Sequence, residues 1–261
     1  MSVLTRILDE TRAQVTQRKQ ALPASELQAM PARVSGRGFR EALARPGIGV
    51  IAEFKRRSPS AGPLRAGAEV AEIAVAYEQG GASALSVLTE ESNFAGSLDD
   101  LRAARAACGL PILRKDFIVD PYQLYEARAA GADAVLLIVA ALAPHELASL
   151  HGEAAELGLD VLVEAHDSDE LAIAASIGAS LIGVNNRDLR DFSVDIARTS
   201  RLLAEMPEGA IVVSESGIAT PEQLRDLEAQ GVAAVLIGET LMRAPDPREA
   251  LESFIKPHDP L

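Results

Sequence analysis

Short apolar runs alternate along this chain with amphipathic stretches at helical spacing. Four runs share one plan: Gly80-Gly81-Ala82-Ser83-Ala84-Leu85-Ser86-Val87, Gly131-Ala132-Asp133-Ala134-Val135-Leu136-Leu137, Gly178-Ala179-Ser180-Leu181-Ile182-Gly183-Val184 and Gly231-Val232-Ala233-Ala234-Val235-Leu236-Ile237. Each is a glycine, a few small residues, then an apolar strand. Glycine suits the left-handed position just past a helix C-terminus. A nearly continuous apolar run suits a parallel strand covered on both faces. Four further strands are predicted at 49–55, 111–115, 160–164 and 210–214, which makes eight. Helical patterns occupy 68–79, 97–107, 121–129, 144–157, 168–176, 194–205, 221–229 and 246–255. Asp120-Pro121 and Thr220-Pro221 put a capping residue before a proline at the first helical position.

Eight strand–helix units predict an α/β fold, a (β/α)8 TIM barrel. A doubly wound open sheet competes with it, but no G-x-G-x-x-G follows any strand. The first strand begins only near residue 49. Ahead of it, Leu4, Ile7, Leu8 and Val15 predict an additional N-terminal helix packed on the barrel. The remainder of that stretch, with Pro23, Pro31, Gly36 and Gly38, is expected to be a connector. The expectation is one barrel domain over 1–261, with 1–48 as a helical extension.

Composition narrows the class. Of 261 residues, 48% are apolar and 24% charged, enough to bury a core and unlike a disordered chain. The longest apolar run, Ala134 to Leu142, falls far short of the roughly 20 residues of a membrane span. The first residues have no apolar core or cleavage site, so no signal peptide is expected. The single Cys108 excludes an internal disulfide and fits a reducing cytoplasm. A net charge of −13 would repel a nucleic-acid backbone. Any anionic substrate must therefore be met by a local cluster of cations.

Such a cluster stands at the strand ends. Three apolar runs close on Glu53-Phe54-Lys55, on Lys115 and on Glu164. Strand alternation puts Ile51, Glu53 and Lys55 on one face and Phe54 on the other. Leu113 and Lys115 share a face, as do Leu162 and Glu164, and Gly183 and Asn185, with Arg187 just beyond. In this fold active sites lie at the C-terminal strand ends, where these six polar groups would converge. A structural ion-pair plug is the competing reading; it needs fewer groups and could equally sit at the other end.

A second constellation suits phosphate. Ser214-Glu215-Ser216-Gly217-Ile218 follows the seventh strand and Gly238-Glu239-Thr240-Leu241 the eighth. Glycine lets backbone N–H groups approach an anion, and barrels commonly build phosphate sites from these two loops. Ser58 could add a hydroxyl. Phe94, Phe117 and Leu189, on loops past strand ends, could wall an apolar ligand or anchor their loops. His145, His151, His166 and His258 lack metal-ligand spacing, so no metal is expected. His166 is expected at the surface or as a helix cap, Cys108 in packing, and Arg114 in an outward structural pair.

Ile51-Ala52-Glu53-Phe54-Lys55-Arg56-Arg57-Ser58-Pro59-Ser60 strongly resembles the signature of the indole-3-glycerol phosphate synthase family. Thr89-Glu90-Glu91-Ser92, Leu113-Arg114-Lys115-Asp116-Phe117-Ile118, Gly183-Val184-Asn185-Asn186-Arg187-Asp188-Leu189, Ser214-Glu215-Ser216-Gly217-Ile218 and Gly238-Glu239-Thr240-Leu241-Met242 are similar to its other motifs, in its order. The resemblance implies ring closure, decarboxylation and dehydration of 1-(2-carboxyphenylamino)-1-deoxyribulose 5-phosphate in tryptophan biosynthesis. It implies Lys115 as principal general acid and Glu164 as base or proton partner in dehydration. Glu53 and Lys55 would balance the substrate carboxylate and departing hydroxyl, with Lys55 a second candidate acid. Asn185 would hydrogen-bond the substrate, and Arg187 would pair with an anion or hold Glu164. Ser58, Ser216, Gly217, Gly238 and Glu239, the last through its backbone, would hold phosphate. Phe94, Phe117 and Leu189 would contact the aromatic ring. Asn93-Phe94-Ala95-Gly96 departs from the family's usual pair of aromatics, which makes that wall less apolar. No nucleotide motif is present, so no cofactor is expected, nor a nucleic-acid or membrane partner. Isomerases on the same fold and a non-catalytic phosphate binder are the rivals. The Glu53, Lys55 and Lys115 set argues against the first, and two buried lysines beside two glutamates against the second.

Overall fold

The alternation of apolar runs and helices closes into a ring. The computed structural model describes residues 2–30, 37–188 and 193–256. Its eight barrel strands are β1 (Gly49–Phe54), β2 (Ala84–Leu88), β3 (Ile112–Lys115), β4 (Ala134–Ile138), β5 (Asp160–Ala165), β6 (Leu181–Asn185), β7 (Ile211–Glu215) and β8 (Ala234–Ile237). Each pairs in parallel with its neighbours in sequence, and Gly49 of β1 lies opposite Ala234 of β8, which closes the barrel. A helix follows every strand, as expected for the (β/α)8 fold. The repeated glycines act as read: Gly131 (φ +93) and Gly231 (φ +91) turn the chain out of a helix in a left-handed conformation that a side chain would disfavour.

Alternation divides the apolar residues into two cores. Val50, Ala52, Phe54, Leu85, Val135 and Val163 face the helices. Ile51, Leu113, Leu162, Leu181, Val213 and Leu236 fill the barrel interior. Of the helices placed from the pattern, 194–205 differs most. Val194 first pairs with Arg187 in an isolated bridge. The helix runs only over Ala197–Leu202 before tightening to a 3-10 turn at Leu203–Glu205.

The segment before β1 is more structured than a connector. Helix α1 (Val3–Ala21) forms where the pattern put it, but α2 (Ala24–Ala29) and α3 (Phe39–Leu43) follow. Pro23 does not break the chain; it precedes α2, at a position where its missing N–H costs nothing. In α3, Phe39 and Leu43 are one helical turn apart and almost completely buried against the first residues of the barrel strands, including Ala84, Ala134 and Leu181. The Arg40 backbone N–H donates to Asp160 Oδ2 at 2.9 Å, fixing α3 across the N-terminal end of β5. Pro31 and Gly36 lie outside the described residues.

Helix α1 is held at both ends. Ile7 and Leu8 pack with Phe117, Ile138 and Ala141 beside the C-terminal strand ends. Near its other end Arg18 Nε donates to Glu126 at 2.7 Å, and Glu126 also accepts from the fully buried Arg114 at 3.2 Å. Arg114 reaches Asp116 at 2.8 Å and Thr89 Oγ1 at 3.1 Å as well. The outward structural pairing expected for Arg114 is therefore a network that ties α1 to β3. Cys108 is buried at the end of the helix Leu98–Ala107, where its backbone N–H donates to Ala104. No helix among the described residues is long and apolar enough to cross a membrane.

Candidate active site

The C-terminal strand ends surround a cavity of about 500 Å³. Its floor is set by strand register. Glu53 lies beside Ser86, Ile138 beside Glu164, Glu164 beside Gly183, and Asn185 beside Glu215. Glu53, Lys55, Lys115, Glu164 and Asn185 all reach this cavity, as alternation predicts. So do Ser58, Phe94, Phe117 and Arg187, and the loop residues Ser216, Gly217, Gly238 and Glu239. Leu189 lies outside the described residues.

The charges are close and mostly buried. Lys55 Nζ is 2.7 Å from Glu53 Oε1, and Ser86 Oγ donates to the other Glu53 oxygen at 3.4 Å. Lys115 Nζ lies 3.4 Å from Glu164 and 3.6 Å from Glu215. Burial pulls the Lys115 pKa down, but the neighbouring acids, Glu164 first, outweigh it and hold the ammonium charged. Burial also opposes ionisation of Glu164, yet Lys115, His166 and Asn185 together lower its pKa. Glu215 goes the other way. Burial and the neighbouring Glu164 push it up to about 8, so it is largely a neutral carboxyl at pH 7. Glu164 and Glu215 thus share the space around one lysine with opposite titrations, a division typical of acid–base sites.

Glu215 was missed as a functional residue because the seventh strand was ended at 214. Extended by one residue, the alternation Ile211, Val213, Glu215 aims the carboxylate inward. Glycines make the room. A methyl group at Gly183 would overlap Glu215 Oε1, and one at Gly238 would overlap Glu53 Oε1. His166 also departs from expectation. It is neither a surface residue nor a cap: its side chain lies 3.5 Å from Glu164 and 2.9 Å from Glu170. The cap of the following helix is Asp167, which accepts the Glu170 N–H.

The glycine-rich loops meet beside this cluster. Ser216 holds a left-handed conformation (φ +68), uncommon outside glycine, and Gly217 continues it (φ +82). Asn186 fixes this turn: its amide donates to Ser214 Oγ at 3.1 Å and to the Ser216 carbonyl at 3.0 Å. Gly238 opens the short helix Glu239–Arg243, whose first N–H groups lack helical partners. The Glu239 carboxylate pairs with Arg243 at 3.1 Å and Arg187 at 3.7 Å, which offsets its charge beside the glycine-rich loops. Across the cavity Phe94 and Phe117 pack with ring centroids 6.3 Å apart, and Leu136 and Ile138 extend this apolar wall.

Fold and relatives together define a barrel enzyme that acts on a small phosphorylated substrate. The sequence matches the family described as Indole-3-glycerol phosphate synthase over residues 4–254, and the chain belongs to that family. It is 49% identical over 254 residues to Indole-3-glycerol phosphate synthase 2 of Streptomyces coelicolor, spanning 97% of this chain and 98% of that protein. It is 50% identical over 258 residues to the Indole-3-glycerol phosphate synthase of Bordetella pertussis, spanning 97% and 98%. The fold is similar to that of 3-hexulose-6-phosphate synthase from Salmonella typhimurium, with TM-score 0.64 at 16% identity over 79% of this chain and 96% of that one. A mutant tryptophan synthase alpha-subunit from Pyrococcus furiosus gives TM-score 0.60 at 14% identity over 79% and 97%.

Proposed function

We propose that this barrel mouth closes the indole ring, converting 1-(2-carboxyphenylamino)-1-deoxyribulose 5-phosphate to indole-3-glycerol phosphate with loss of CO2 and water. The observation that carries the reading is the buried Lys115 held charged between Glu164 and Glu215 at the end of β3. An ammonium fixed in the mouth stabilises a carbonyl oxygen as charge develops on it, and the alkoxide so formed is basic enough to take its proton.

The substrate's three parts have matching surfaces. Its phosphate fits the Ser216, Gly217, Gly238 and Glu239 backbone with the Ser58 hydroxyl. Its ring fits the wall of Phe94 and Phe117. Its carboxylate, which must leave as CO2, fits between Lys55, Asn185 and Arg187, away from the apolar wall. Ring closure joins the carboxyl-bearing ring carbon to the ribulose carbonyl carbon while Lys115 protonates the oxygen. Loss of CO2 returns its bonding electrons to the ring. In dehydration the hydroxyl leaves as water, with its proton from a lysine, either Lys55 or Lys115. Glu164 takes the proton from the adjacent carbon. Glu215, neutral at pH 7, can donate a hydrogen bond to a substrate oxygen, which a carboxylate could not. We infer a cytoplasmic setting, where a lone thiol such as Cys108 stays reduced.

The test is turnover by purified protein without added metal or nucleotide. The chain has no tryptophan, so the new indole is the only one in the cuvette and its fluorescence rises over a dark background. Lys115→Ala should lower kcat about 10³-fold, within the span of general acid catalysis. A variant that loses only substrate affinity would remove Lys115 from the acid's role.

A further inference from the structure

His166 takes no part in the chemistry above, yet it stands directly behind the base. It is the first residue after β5, and Glu170, in the first turn of the helix Ser168–Ser176, reaches back to it. Glu170 Oε2 accepts the His166 backbone N–H at 2.8 Å and lies 2.9 Å from Nδ1. The opposite ring nitrogen, Nε2, is 3.5 Å from Glu164 Oε1. Both of these last atoms are buried, and neither has a hydrogen-bond partner among the described residues.

An imidazole between two carboxylates has a limited set of states. In the neutral form its single N–H goes to Glu170, and a nitrogen lone pair then faces a carboxylate oxygen, which is repulsive. Doubly protonated, it satisfies both sides. The charge balance of the mouth points the same way. With Glu215 neutral at pH 7, the carboxylates Glu53 and Glu164 meet two lysines there, so each carboxylate has one cation to lean on. Once Lys115 has given its proton to the substrate, Glu164 loses its cation at the moment it must act as a carboxylate. A charge on its far side would preserve it.

We propose that His166, clamped by Glu170, is a positioning residue whose imidazolium keeps Glu164 ionised and aimed into the mouth while Lys115 is deprotonated. This rests on Glu164 being the base. The charged groups around His166 are Glu164 on β5, Glu170 on the following helix and Arg198 on the helix Ala197–Leu202, with Lys115 and Glu215 beyond Glu164. Burial and Arg198 lower its pKa, but Glu170 and Glu164 outweigh them and raise it above the ordinary histidine value.

The experiment joins ring 15N NMR titration to the pH profile of kcat in the wild type, His166→Asn, Glu170→Gln and Glu164→Gln. The wild-type His166 should titrate above the ~6.5 of a free histidine, with both nitrogens protonated below that midpoint and with a lower midpoint in Glu164→Gln. His166→Asn should lose about tenfold in kcat at pH 7 with KM within about twofold, a ratio worth about 1.4 kcal/mol in the barrier. Its acid limb should move to higher pH, because Glu164 is then harder to ionise. Glu170→Gln should move that limb the same way by less. A wild-type profile in a folded His166→Asn, beside an inactive Glu164→Gln, overturns the role of His166 alone. Full turnover by Glu164→Gln removes the base instead. If His166→Asn does not fold, a wild-type midpoint at or below the free value still overturns the proposal.

Discussion

Glu215 is 1% exposed, and its titration is raised from 4.5 to about 8 by burial and by Glu164. Between those values the folded chain binds a proton that the unfolded chain releases. Stability therefore falls as pH rises through that window. Glu215→Gln replaces the carboxyl by a neutral group of the same shape. It should raise stability by about 4 kcal/mol near pH 8 and by little near pH 4, while turnover drops. Thermal melts of the free protein at the two pH values check this; an unchanged gap would mean Glu215 is ionised in the fold. Glu53, Lys55, Lys115 and Glu164 were legible in sequence because each interrupts an apolar run on the inward register. Glu215 escaped by a single residue of strand length. His166 escaped for another reason. Its partner Glu170 sits in a run of Asp and Ser that reads equally well as a cap, and only coordinates show which side chain turns toward the barrel.

Among the elements, α1 is attached through charges as well as apolar contacts. Glu126 is buried between Arg18 and the fully buried Arg114. Taking away one partner of a buried pair leaves an uncompensated charge. Glu126→Gln leaves Arg114 with Asp116 as its carboxylate partner and should cost about 2 kcal/mol in urea unfolding. Arg18→Met should cost only ~1 kcal/mol, since Arg18 is partly solvated and its loss still leaves Glu126 paired with Arg114. Equal costs would mean that Arg114 does not depend on Glu126. Helix α1 was legible from the spacing of Ile7, Leu8 and Val15. Helices α2 and α3 were not, because six and five residues hold too few apolar positions to set a period. What makes α3 a helix is the barrel surface that receives Phe39 and Leu43, a tertiary contact that no local pattern carries.

For the whole molecule, the repeat of glycine, small residues and strand determined order and closure together, because eight parallel strands linked by short helices have few other ways to bury both faces. The convergence of the glycine-rich loops and the charged strand ends at one mouth follows from that topology, whereas their distances and titrations depend on packing between strands far apart in sequence. The stopper formed by Phe39 and Leu43 has a further consequence. With that end covered, the mouth is the doorway that the described residues leave, and ligands must queue for it. Carbon dioxide and water have to slip out past the bound ring, and the product must vacate before the next substrate enters. Indole-3-glycerol phosphate added to the assay should accordingly act as a purely competitive inhibitor, raising KM and leaving kcat alone. A mixed pattern would mean that the product also binds an enzyme form still holding substrate or CO2, against a shared passage.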